Sequence, residues 1–201
     1  MSSKAAKFLS SDRRLKKVIV AHGTMQLKKR HDYFDVLAMS IVYQQLSGAA
    51  AGTIYRRFKA ACGGRVKPAT VSKLSTPAMR KCGLSRQKIS YLRDLSKRFL
   101  KKEINPRKFH SLSDAEIIDE LVAVRGIGRW TAEMFLMFSL AREDIFPADD
   151  LGIKKAIQKI YGLRDVSQKN LDAFSRRWSP YRSYASLYLW KHGDVKPPKN
   201  W

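Results

Sequence analysis

Cysteine is scarce: Cys62 and Cys82 are the only two in 201 residues, without CxxC spacing and without histidines at ligand distance. Two thiolates are too few for a structural zinc site or an iron–sulfur cluster. As an unclustered pair they suit a reducing compartment, where each is a small buried hydrophobe. Long apolar runs are lacking too. The stretch MSSKAAKFLSSDRRLKK contains none of signal-peptide length, so the protein is expected inside the cell. Alternation with period two over a strand's length is missing throughout, which argues against a sheet. Acidic residues are few, seventeen against forty lysines and arginines, for a net charge of +23. That charge would repel itself in a compact state unless a polyanion compensates it, and nucleic acid is the leading partner class. The positive charge is spread along the whole chain with no separate basic amphipathic helix, so no membrane partner is expected.

What remains is a chain with 44% hydrophobic residues, long enough to bury a substantial core. The patterning predicts helices separated by short turns. Leu15, Val18 and Ile19 form one stripe behind a Ser11 cap, ending near Gly23. Phe34, Leu37, Ala38, Ile41 and Val42 follow helical spacing between His31 and Leu46. The next helix, Gly48 to Cys62, is stopped by Gly63 and Gly64, and the polar run Gln44-Gln45-Leu46-Ser47 interrupts the two. Thr76-Pro77 reads as a cap with proline at the first helical position. Ser85 caps a helix to about Lys102, with Ile89, Leu92, Leu95, Phe99 and Leu100 inward and basic residues outward. Ser113-Asp114-Ala115-Glu116 is a capping box. The helix with Met134, Phe135, Leu136, Met137, Phe138 and Leu140 is apolar on nearly all sides yet too short for a bilayer, so it should be central and buried. After Pro147 come a helix from Leu151 to Tyr161 and two more, with Ser179-Pro180 between them. The expected class is all-α.

Two constellations carry chemistry. Gly126-Ile127-Gly128 sits between two predicted helices with no room for a loop. Glycines permit positive φ and leave amides uncovered, so this turn, flanked by Arg125 and Arg129, can present N–H groups and a helix start to a phosphate. Asp149 and Asp150 fall at the next helix start, where one carboxylate suffices as a cap. The other lies beside Phe146, Pro147 and Leu151, a costly place for a charge without a partner or a task. Near a nucleic-acid backbone, such a carboxylate can stabilise an oxocarbenium-like sugar or orient the attacking water.

The pattern L-x-x-x-x-G-I-G-x-W-T-A, followed about twenty residues later by F-P-x-D-D-L, resembles the helix-hairpin-helix DNA glycosylases, in particular the 3-methyladenine DNA glycosylase II branch. The resemblance runs from Tyr33 to Trp190 and includes Ile41-Val42-Tyr43-Gln44-Gln45-Leu46-Ser47, Cys82-Gly83-Leu84-Ser85-Arg86-Gln87-Lys88 and Trp178-Ser179-Pro180-Tyr181-Arg182-Ser183-Tyr184-Ala185. It implies that Asp150 is the catalytic carboxylate and Asp149 its structural neighbour. Arg125, Gly126, Ile127, Gly128, Arg129 and Thr131 would form the hairpin that grips the DNA backbone, with a monovalent cation often held by main-chain carbonyls there. Gln44, Gln45, Leu46 and Ser47 would wedge into the base stack from the minor groove. Trp130, Trp190, Met134 and Leu151 would line the base pocket.

In bifunctional relatives a lysine that attacks the sugar stands where this chain has Trp130, and an indole cannot form a Schiff base. The resemblance therefore implies a monofunctional hydrolase that leaves an abasic site. The missing four-cysteine cluster argues against the endonuclease III and adenine glycosylase branches. An alkylated purine suits the inventory: methylation at a ring nitrogen makes the base cationic, weakens the glycosidic bond and removes the need for a general acid. Electron-rich indoles attract such a ring by roughly 1–2 kcal/mol, and extrusion is cheapest at a damaged pair.

Three positions depart from the family: Arg125 where proline is usual, Met134 where an aromatic can stand, and Leu151 where some relatives have tyrosine. The N-terminal β-rich domain of longer relatives is not represented, so the chain looks like a minimal version. The expectation is one two-lobed unit, 1–201. A central bundle, 31–140, carries wedge and hairpin; a second lobe, 1–30 plus 141–201, carries Asp150 at a cleft between them. The partner is double-stranded DNA with damaged bases, acted on by a monomer without cofactor or resident metal, in the cytoplasm at the nucleoid or, in a eukaryote, in the nucleus. A glycosylase for oxidised, deaminated or mismatched bases, and a non-catalytic DNA-binding protein, are the alternatives.

Overall fold

The computed structural model describes residues 3–193; the first two and last eight residues of the expected 1–201 unit lie outside them. Among the described residues there are twelve α-helices, two 3₁₀ turns and no strand. The described residues divide into two compact units: residues 31–132, and residues 3–30 together with residues 133–193. The division falls at Ala132, where the sequence pattern suggested Leu140.

In the 31–132 unit, α3 (Tyr33–Tyr43), α4 (Gly48–Ala61), α5 (Pro68–Lys73), α6 (Thr76–Lys81), α7 (Arg86–Leu100) and α8 (Asp114–Val122) are joined by short turns. Helix α3 buries Phe34, Val36, Leu37, Ala38, Ile41 and Val42, and it packs on both α4 and α7. Each of these side chains larger than alanine contributes roughly 1.5–3 kcal/mol on burial. The caps explain where these helices start. Ser47, Ser85 and Ser113 each accept the backbone N–H three residues on, and Glu116 completes the expected capping box at Ser113. Ser75, rather than Thr76, caps α6, which puts Pro77 at the second helical position. Helix α3 ends at Tyr43 instead of Leu46. Gln45 takes a left-handed φ of 56°, which no helix accommodates. Leu100, expected inward, is 52% exposed at the end of α7, because the helix stops there and Lys101 begins a turn.

In the other unit, α1 (Ser3–Leu9) precedes α2 (Arg13–His22); the short α1 and the six-residue α5 were not foreseen, being too brief for a periodic signal. Asp12 caps α2, not Ser11: its Oδ1 accepts the N–H groups of Arg14 and Leu15. Its Oδ2 accepts the Tyr161 hydroxyl at 2.9 Å and the Trp178 indole N–H at 3.1 Å. Helix α10 (Leu151–Tyr161) is amphipathic as expected, with Ile153, Ala156 and Ile157 buried. It packs on α12 (Arg182–His192), a nearly wholly buried helix that also covers α2. Helix α11 (Gln168–Ser175) lies between them in sequence. Helix α9 (Arg129–Phe138) contributes a solid apolar core of Met134, Phe135, Leu136 and Met137.

Candidate functional site

Asp150 is the cap of α10. Its Oδ1 accepts the Ile153 N–H at 2.9 Å and the Trp190 indole N–H at 2.8 Å. Two donors on one oxygen, one of them at a helix N-terminus, hold a half-buried carboxylate in a single orientation. The route to Asp150 is equally constrained. The irregular segment from Leu140 is tied down to the start of α12: Ser183 donates its hydroxyl to Arg142 O and accepts the Ile145 N–H, and its own N–H donates to Glu143 O. Arg182 makes a two-pronged pair with Asp144 at 2.8 and 2.9 Å. Burial alone would raise the Asp144 carboxyl, but the hydrogen bonds from Arg182 and Ser179 hold it below the usual range. Phe146 is buried against Trp178. The same helix thus pins the loop at its start and the carboxylate through Trp190 near its end. Asp149 differs: it is exposed and pairs with Lys154 at 3.1 Å.

The other unit carries the hairpin and the polar turn. Helix α8 ends at Val122, and α9 begins at Arg129 after the turn. Only the first glycine has a positive φ, +85° at Gly126, and a Cβ there would run into the ring of Tyr91. Gly128 has no left-handed φ, and a Cβ there would meet nothing within 4 Å. The Arg125 N–H donates to Asp94 Oδ2 at 2.9 Å, and Gln44 Nε2 donates to Gly126 O at 2.6 Å. That last bond joins the polar turn to the hairpin. Beyond Gln44, the turn projects: Gln45 is exposed in its left-handed conformation, and Leu46 is 40% exposed although apolar. An exposed leucine on a strained turn is a shape that suits insertion between stacked bases.

The residues expected to line a base pocket fall into two groups. Trp130 is half-buried and Leu151 is 73% exposed, so both present surface. Met134 is fully buried and Trp190 is 1% exposed, stacked on Phe138. Both belong to the packed interior as it stands, because α9 and α12 are buried on nearly every side. Thr131 is also buried, while Arg125 and Arg129 are exposed beside the hairpin. Sequence reasoning gave no role to Tyr91 and Asp94, and read the basic residues of α7 as outward. Their spacing at three residues on one helix was the available signal.

A model of the HhH-GPD superfamily of base excision DNA repair proteins matches residues 38–180. DNA-3-methyladenine glycosylase 1 of Schizosaccharomyces pombe is 32% identical over 183 residues, 89% of this chain and 80% of that protein. A Bacillus subtilis relative, also 32% identical, is matched over 88% of this chain but only 64% of its own length. Among solved structures, a DNA-3-methyladenine glycosidase from Bacillus halodurans superposes with a TM-score of 0.88 and 35% identity, covering 96% of this chain and 89% of that one. The 3-methyladenine DNA glycosylase of Schizosaccharomyces pombe, in complex with abasic DNA, superposes with a TM-score of 0.81 and 30% identity over 99% of both chains. The chain therefore belongs to the HhH-GPD superfamily of base excision DNA repair proteins, among its 3-methyladenine DNA glycosylases.

Proposed function

We propose that this protein excises alkylated purines of the 3-methyladenine and 7-methylguanine type from duplex DNA by hydrolysis of the N-glycosidic bond. The observation that carries the reading is the carboxylate of Asp150, oriented by two N–H donors at the start of α10 in a chain of this family. The extruded nucleotide would place C1′ near that carboxylate. As the C1′–N bond breaks, its electron pair goes to the base, which is cationic when methylated and leaves neutral. The positive charge developing on the sugar is stabilised by Asp150. A water oxygen then bonds to C1′ and gives up one proton to bulk water, leaving an abasic site. No general acid is needed for such a leaving group.

Trp130 offers a half-buried indole toward a cationic base and, having no primary amine, supports hydrolysis without strand cleavage. Leu151 would offer its exposed apolar surface to the base, and Met134 lies in the core of the same unit as Leu151. Trp190 is better suited to holding Asp150 than to stacking on a base. The Gly126 and Gly128 amides of the hairpin, with Arg125 and Arg129, grip phosphates, while Gln45 and Leu46 fill the stack. A monovalent cation held by main-chain carbonyls of the hairpin, which the family resemblance implies, would reinforce the phosphate contact. No chemical step runs through it. The enzyme acts as a monomer on damaged DNA.

The test is incubation with duplexes carrying 3-methyladenine, 7-methylguanine, hypoxanthine or 8-oxoguanine, with heat or alkali to reveal abasic sites. Release from the methylated duplexes, with strand breaks only after alkali, is expected. No release from either methylated base would overturn the reading, and strand cleavage without alkali would overturn the hydrolytic assignment.

A further inference from the structure

One face of α7 holds both the polar turn and the hairpin. Lys88, Tyr91 and Asp94 are three residues apart, so they rise along one side of the helix. Lys88 Nζ donates to Val42 O at 2.7 Å and to Gln44 O at 2.8 Å. Val42 O is among the last carbonyls of α3, at the negative end of the helix, and Gln44 is the residue that caps it. One turn further along α7, the Tyr91 ring lies against Gly126, and Gln87 fixes the ring by donating to its hydroxyl at 2.6 Å. Another turn on, Asp94 accepts the Arg125 N–H. Gln44 closes the circuit by donating to Gly126 O.

We propose that Lys88 is a positioning residue for nucleotide extrusion: it anchors the Gln44–Ser47 turn on the platform that carries the Gly126 hairpin, so that wedge and phosphate grip act at a fixed separation. This rests on the glycosylase reading for its substrate. The alternative role for a half-buried lysine in a DNA-binding protein is a direct phosphate contact. Two carbonyls already take two of its three N–H donors, and burial lowers its pKa, as expected of an ammonium held by protein rather than solvent.

The variants are Lys88→Met, Lys88→Arg and Gln44→Met, each also made with Asp150→Asn to stop chemistry. Extrusion is read by the fluorescence of 2-aminopurine placed beside 7-methylguanine in the duplex, and release by single-turnover kinetics. Affinity is followed against salt. Lys88→Met is expected to reduce the fluorescence rise and slow release by about tenfold or more. Lys88→Arg should recover part of both. The slope of log affinity against log salt should stay as in the parent, whereas loss of a phosphate contact would reduce it by about 0.9. Parental extrusion and release in Lys88→Met, or a slope smaller by that amount, would overturn the inference. If Lys88→Met does not fold, Gln44→Met decides: it cuts the tie to the hairpin from an exposed turn and should show the same loss of extrusion with the same salt slope. A parent chain that releases no alkylated base would sink the glycosylase reading, and the fluorescence arm would still judge the platform.

Discussion

The indole N–H of Trp190 donates to Oδ1 of Asp150 at 2.8 Å, from a side chain that is 1% exposed. A hydrogen bond to a charged acceptor contributes about 1.5–3 kcal/mol, so the pair couples the orientation of the carboxylate to the packing of α12. Trp190→Phe should therefore lower single-turnover release of 7-methylguanine by about tenfold or more while leaving DNA affinity near the parent value. Its melting temperature should fall by only several degrees, since most of the ring volume is retained. Unchanged release would show that the Ile153 N–H alone suffices to orient Asp150.

The two adjacent aspartates should separate cleanly. Asp150→Asn keeps an oxygen for the Ile153 and Trp190 donors but removes the charge, so release should vanish while the helical circular dichroism signal and DNA binding persist. Asp149→Asn loses only a contact with Lys154 at a half-exposed position, a pair contributing roughly 0–1 kcal/mol. It should release base at the parental rate. Loss of activity in Asp149→Asn alone would reverse the assignment.

The two hairpin glycines are predicted to fail differently. Gly126→Ala forces a left-handed φ on alanine and drives a methyl into Tyr91, so it should destabilise the fold by about 2–4 kcal/mol, measured by urea denaturation. Gly128→Ala meets no neighbour and should fold normally. Its expected defect is weaker binding to any duplex, because the added methyl crowds the approach of a phosphate. Equal stability losses in the two variants would contradict this division.

Acid stability should depend on Asp12. Burial works to raise its pKa, but hydrogen bonds from Leu15, Trp178, Tyr161 and Arg14 outweigh it and leave the carboxyl below its ordinary value. A carboxyl lowered on folding adds stability that is fully present above the unfolded value of about 3.9 and is lost as pH falls through the folded one. Thermal melts between pH 6 and pH 2 should show this decline, and Asp12→Asn should flatten it while lowering the melting temperature at neutral pH. A parallel decline in both proteins would assign the acid limb to other carboxylates such as Asp144.

Much of the fold was readable because amphipathic spacing and capping act locally. Ser85, the Ser113 capping box, and the stripe Ile153, Ala156, Ile157 each report a helix through neighbours within four residues. The errors were also local: Asp12 displaced Ser11 and Ser75 displaced Thr76, because adjacent residues compete for the same N–H donors. Helix α5 escaped notice because six residues carry too little periodicity.

The sequence by itself determined the helical class, the basic character, and the hairpin and aspartate motifs, since each depends on composition or on residues close along the chain. Only the tertiary structure decided what those motifs lean on. Trp190 meets Asp150 across forty residues, Lys88 reaches the end of α3 across more than forty, and Gln44 finds Gly126 across eighty-two. Such contacts are set by how helices pack, and packing is a property of faces brought together rather than of spacing. That is why the bond from the buried Trp190 indole to Asp150 could not be read from its position in the chain.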